Sequence, residues 1–152
     1  SHSVDDKGTN TLAAEVVAAK DQRMLGKIHN FKFWKAKPHN GDPEQIKKNQ
    51  NAARIQAKFL MASGAVKKED LLAAKSGGGK VAIDWSKCVG GFFFSELKKD
   101  QKGYLNPSYG SYFTDTDPEV ANNAASWPAP VPMQVRAEMA ARVAAANAEI
   151  AF

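Results

Sequence analysis

Residues 103–132 read GYLNPSYGSYFTDTDPEVANNAASWPAPVP. The stretch sustains neither a helical nor a strand period. It nevertheless carries Tyr104, Tyr109, Tyr112, Phe113 and Trp127, punctuated by Pro107, Pro118, Pro128, Pro130 and Pro132. Disordered segments are poor in aromatics, and compact domains seldom hold an irregular loop this long. An extended arm whose rings are buried on another surface meets both constraints. On that reading the arm is an appendage, and the segments around it set the fold.

Those segments read as helices. The best-marked one starts at Asp42, with Pro43 at the first helical position and Glu44 at the positive end of the helix dipole. Gln45 stands three residues after Asp42, as in a capping box. Ile46, Ala53, Ala57, Leu60 and Met61 supply an apolar stripe, and Gly64 closes the helix. Thr11 to Gly26 reads as a helix capped by Asn10 or Thr11, with Leu12, Val16 and Ala19 in line. Lys67 to Lys75 gives a short third helix. Ser86 to Lys99 gives a fourth, containing Phe92, Phe93, Phe94 and Leu97 and weakened by Gly90 and Gly91. Met133 to about Ala151 is alanine-rich, with Val135, Met139, Val143, Ala146 and Ile150 on one narrow stripe. Short extended pieces are expected at Phe31–Phe33 and around Val81, Ile83 and Trp85. The expected fold is mainly α: a small bundle of four to five helices with short extended pieces and a long irregular arm. It divides into a helical region over 1–102, the arm over 103–132 and a terminal helix over 133–152.

At 152 residues, one domain is the default. No window approaches the roughly 18 apolar residues of a membrane span. The single cysteine, Cys88, excludes an internal disulfide and a cysteine-based zinc site, and reads as a small core residue. The formal charge of +5 is uneven: residues 20–80 carry 14 Lys and Arg against 5 Asp and Glu. A basic middle suits docking on an acidic protein face or another anionic surface. The first residues show no signal peptide, and a start without methionine would suit a processed product without deciding for one.

No motif carries chemistry. Ser76-Gly-Gly-Gly-Lys80 lacks the preceding strand, the following Ser or Thr and the helix behind that a phosphate loop needs, so it reads as a helix stop and hinge. His2, His29 and His39 are the only histidines and read as surface or interface positions. Asp115, Asp117 and Glu119 lack the ligand spacing of a calcium loop, and Pro118 to Asn122 reads as one helical turn. Lys27 to Lys37 could place lysines on phosphates with Phe31, Phe33 and Trp34 stacked on bases. No nucleic-acid module surrounds it, and rings packed inward with lysines outward is the simpler arrangement.

The expectation is therefore a non-catalytic accessory subunit of a larger assembly, with no catalytic, cofactor or metal residues. Its composition suits a peripheral subunit of an organellar respiratory or photosynthetic membrane complex, in mitochondrion or plastid. Tyr104, Tyr109, Tyr112, Phe113, Trp127 and Trp34 are the candidate anchors, and Lys32 and Lys35 the steering charges. The partners are other protein subunits. A nucleic-acid-binding role, as in an organellar ribosomal protein, is one alternative, disfavoured among partners. The other is a small apolar-ligand or pigment-binding protein, with Trp85 and Phe92–Phe94 lining a pocket.

Overall fold

Phe31 and Phe33 alternate with Asn30 and Lys32, and that period of two organises the molecule. In the computed structural model, which describes residues 1–78 and 83–113 together with Val120, Asn123, Ser126, Trp127, Ala137 and Ala141, both rings point inward and both polar neighbours point outward. They lie on β3 (Ile28–Phe33), which pairs antiparallel with β2 (Asn10–Glu15). β2 pairs in turn with β1 (His2–Val4), giving a three-stranded sheet of order β1-β2-β3. The register sets Leu12 opposite Phe31 and Ala14 opposite His29. One face of the sheet thus collects Leu12, Ala14, His29, Phe31 and Phe33.

Two helices follow: α1 (Pro43–Ala62) and α2 (Lys68–Ser76). The ends of α1 follow from its sequence. Asp42 Oδ1 accepts the Glu44 backbone N–H, at 3.0 Å. Gln45 does not complete a capping box; its Nε2 donates to Asn49 Oδ1 instead, at 2.9 Å. At the other end the Gly64 N–H donates to Met61 O and the Ala65 N–H to Leu60 O, the paired bonds of a Schellman stop. Gly64 sits at φ 76°, a conformation that costs a side-chain-bearing residue energy. The chain then turns back and packs Ala65 and Val66 against the core.

A second, two-stranded sheet joins β4 (Phe94–Lys99) to β5 (Leu105–Phe113). Its register is broken. From Pro107 to Tyr112, β5 spends five residue steps while β4 spends two, from Leu97 to Ser95. The surplus is a large bulge centred on Ser108–Ser111, beginning just after Pro107, which has no N–H to give the ladder.

Aromatic rings join these layers. Phe59 of α1 lies 4.7 Å from Phe33, 5.7 Å from Phe31, 4.9 Å from Phe93 and 5.1 Å from Tyr112, centroid to centroid. Trp85 stacks on Phe33 at 5.0 Å. Helix, sheet and hairpin therefore share one core, completed by Leu12, Ile55, Leu60, Ala62 and Cys88. Gly91 lets the hairpin approach: a β-carbon there would collide with the Ser63 carbonyl oxygen at the end of α1.

The expected mainly-α bundle of four to five helices is overturned: the described residues form two helices and five strands in two sheets. Thr11–Gly26 is not a helix. Its first half is β2, because Leu12 and Ala14 also fit a period of two and the β3 register rewards that reading, which overrides the helical preference of alanine. Ser86–Lys99 is a 3₁₀ turn (Trp85–Cys88) followed, after Gly90, Gly91 and the non-strand residues Phe92 and Phe93, by β4. Leu105–Phe113, read as irregular, is strand β5. The α1 stripe is also shifted: Ile55, Phe59, Leu60 and Ala62 are its buried residues. The helices at 43–62 and 68–76 and the strand through Phe31 and Phe33 match expectation closely. Of the extended piece expected around Val81, Ile83 and Trp85, Ile83 lies in no strand and Trp85 opens the 3₁₀ turn; Val81 itself, Lys80, residues 115–119, the turn expected at 118–122 apart from Val120, and the terminal helix expected over 133–151 apart from Ala137 and Ala141 lie outside the described residues.

Truncating Phe59 to alanine removes the ring shared by all layers and should cost about 3–5 kcal/mol. Leu72→Ala, on the exposed side of α2, should stay within about 0.5 kcal/mol of the parent. Urea unfolding of the two variants checks the contrast.

Candidate functional site

The bulge in β5 sorts the aromatics of this strand. Tyr112, beyond it, is 8% exposed and committed to the chain's own core, where burial pushes its hydroxyl up to about 12. Tyr109, on the bulge, is turned outward and half exposed. Its ring stands 6.4 Å from that of Trp34, which is 54% exposed just past the end of β3. Partial burial against this neighbourhood raises the Tyr109 hydroxyl as well.

Rigid backbone presents the pair. Gln56 of α1 donates to Trp34 O at 2.8 Å, and Asn49 Nδ2 donates to Lys37 O at 2.8 Å while its Oδ1 accepts from Lys37 N–H. Residues 34–37 are thereby fastened to α1 although they belong to no strand. Lys32 and Lys37 are exposed on either side of Trp34. Lys35 is exposed too, with its stem lying over Gly8.

The remaining candidate anchors lie apart from this pair. Tyr104 is 68% exposed at the β4–β5 turn, and Phe113 is 40% exposed at the end of β5. Trp127 is partly buried with its ring 6.1 Å from Phe94, edge to face. Phe31 and Phe33 are buried, at 7% and 1% exposure, so the stacking residues expected of Lys27–Lys37 reduce to Trp34.

A second feature involves the phenylalanine run that the apolar-ligand alternative places around a pocket. Between the inward face of β2–β3 and the β4–β5 hairpin lies a cavity of about 800 Å³. Phe92, Phe93 and Phe94 line it, with Leu12, Ala14, Phe31, Leu97 and Trp127; Trp85 does not. His29 lines it as well. The β3 register turns His29 inward and leaves Ile28 65% exposed, the reverse of what hydrophobicity alone would choose. A shift of one residue would correct that pair but would expel Phe31 and Phe33 from the core. His29 Nε2 is buried and has no hydrogen-bond partner among the described residues. Such a group costs about 1–3 kcal/mol when left unpaired. Desolvation, helped by the Lys27 charge, lowers the His29 pKa and favours the neutral ring. The expected surface or interface placement is thus corrected for this histidine. The signal available was positional: 29, 31 and 33 share one strand face.

Cys88 also borders the cavity, buried, with its sulfur 3.3 Å from Ser63 Oγ. Burial pushes its thiol up, away from the reactive thiolate. Among the described residues no group of three or more His, Cys, Asp or Glu side chains could hold a metal ion, and no helix is long and apolar enough to cross a membrane. No family model, curated protein or solved structure matches the chain.

Because the folded state holds His29 below its ordinary pKa of 6.5, the unfolded chain binds the extra proton first as pH falls. Stability should rise with pH through the window just below 6.5. Replacing His29 by leucine should flatten that part of the profile, read as urea midpoints between pH 5 and 7.5.

Proposed function

We propose that this protein is a non-catalytic accessory subunit that docks on an acidic face of a larger protein assembly through Trp34 and Tyr109. The observation that carries the reading is the pair itself: two large rings, each about half exposed, side by side on backbone held by Gln56 and Asn49. Trp and Tyr held rigid side by side at the surface are the side chains that dominate interface energies. Lys32, Lys35 and Lys37 around them supply the complementary charge. Tyr104 and Phe113 extend the exposed aromatic surface at other points of the hairpin. The assembly is of the organellar membrane-complex class, respiratory or photosynthetic, which the basic, alanine-rich composition suits, and the chain sits peripherally on it.

The nucleic-acid alternative keeps the lysines but has lost two of its three stacking rings to the core.

Affinity capture from the native source, using the tagged full chain and the variant Trp34→Ala/Tyr109→Ala, tests the proposal. The parent should retain a defined set of co-migrating polypeptides, with retention weakened by salt. The double variant, whose changes are at the surface and should leave thermal unfolding within a few degrees of the parent, should lose them by at least tenfold. Equal retention by both chains, or retention of nucleic acid in their place, contradicts it.

A further inference from the structure

The cavity between the two sheets is a separate matter from the docking surface, and its chemistry is more specific. We infer that it binds a small, elongated, largely apolar molecule carrying one hydroxyl group, which hydrogen-bonds to His29 Nε2. Three features of the cavity converge. The volume of about 800 Å³ lies in the usual range for small-molecule sites, roughly 300–1,000 Å³. The lining around its inner part is apolar, with Phe92, Phe93, Phe94 and Leu97 on the hairpin side. The charged lining residues Glu15, Lys20 and Glu96 are exposed, and the half-buried Asp21 is paired with the exposed Arg23, so the charged lining marks the solvent side.

The third observation is the orphaned imidazole nitrogen. Ordered polar atoms inside proteins are nearly always paired, and an unpaired one points to a missing partner. The partner has room: the residue opposite His29 across the β2–β3 ladder is Ala14, whose methyl leaves the space above the ring open. A hydroxyl suits this nitrogen in either tautomer, because it can both donate and accept. Hydrocarbon would fill the aromatic part of the cavity, and the polar end would stop at the histidine. One polar contact within an apolar lining is how such sites fix orientation.

Binding of 1-dodecanol and of 1-chlorododecane to the full chain, followed by NMR, tests the inference. The parent should bind dodecanol at one site, with shifts at the His29 ring nitrogens and at the amides of Phe92–Phe94. His29→Leu should weaken dodecanol about tenfold and leave chlorododecane unchanged. His29→Gln, which keeps a donor and an acceptor, should recover most of the loss. Ala14→Phe, which fills the space and leaves the imidazole in place, should weaken both probes. Wild-type Phe31 and Phe59 ring shifts in each variant confirm that the core is intact. Failure of either probe to bind the parent, shifts confined to Trp34 and Tyr109, or equal dodecanol binding by the parent and His29→Leu overturns the inference. None of these outcomes bears on partner capture through Trp34 and Tyr109, so the two readings stand or fall separately.

Discussion

Phe59 is the ring on which the architecture depends. It touches Phe31 and Phe33 of the three-stranded sheet, Phe93 before the hairpin and Tyr112 of its second strand. A two-stranded hairpin has little independent stability in water. This one acquires it by setting Tyr112 against a helix that already covers another sheet. The contacts are tilted or edge-to-face, the arrangements that aromatic quadrupoles favour beyond simple area burial. Both functional features border this joint. The bulge that delivers Tyr112 inward turns Tyr109 outward beside Trp34. The cavity lies beside the same joint, with Phe31, Phe59 and Phe93 in its wall.

Local signals were legible where they act locally. Asp42-Pro43 and Gly64 mark both ends of α1 because caps and a left-handed stop are decided within a few residues. Phe31-Lys32-Phe33 announces its strand by alternation. The first β-strand pair was hidden because Leu12, Val16 and Ala19 fit a helical stripe as well as Leu12 and Ala14 fit a strand face. Only the pairing of Leu12 with Phe31 and of Ala14 with His29, far along the chain, chooses between them. Non-local hydrogen bonding of this kind leaves no mark in a single window of sequence.

The aromatic stretch after Gly103 illustrates the opposite error. Over 105–113 the cause of its lost alternation is the bulge. Five steps of β5 matched to two of β4 scramble the alternation that would have identified a strand. The rings it carries are consequently divided in destination: Tyr112 goes inside, whereas Tyr109, Tyr104 and Phe113 face water. Composition alone treated them as one set. His29 was underestimated for a related reason. A histidine between Ile28 and Asn30 looks like a surface residue until the two phenylalanines further along impose the register that turns it inward.

The central claim is that one aromatic core binds helix, sheet and hairpin together within a single chain. Nuclear Overhauser contacts in the isolated full-length protein test it most directly. The account predicts ring-proton contacts from Phe59 to Phe31, Phe33, Phe93 and Tyr112, with strand-type backbone shifts over 10–15 and 94–99. Helical shifts across 11–26 and 86–99, with a Tyr112 ring that contacts only water, would contradict it.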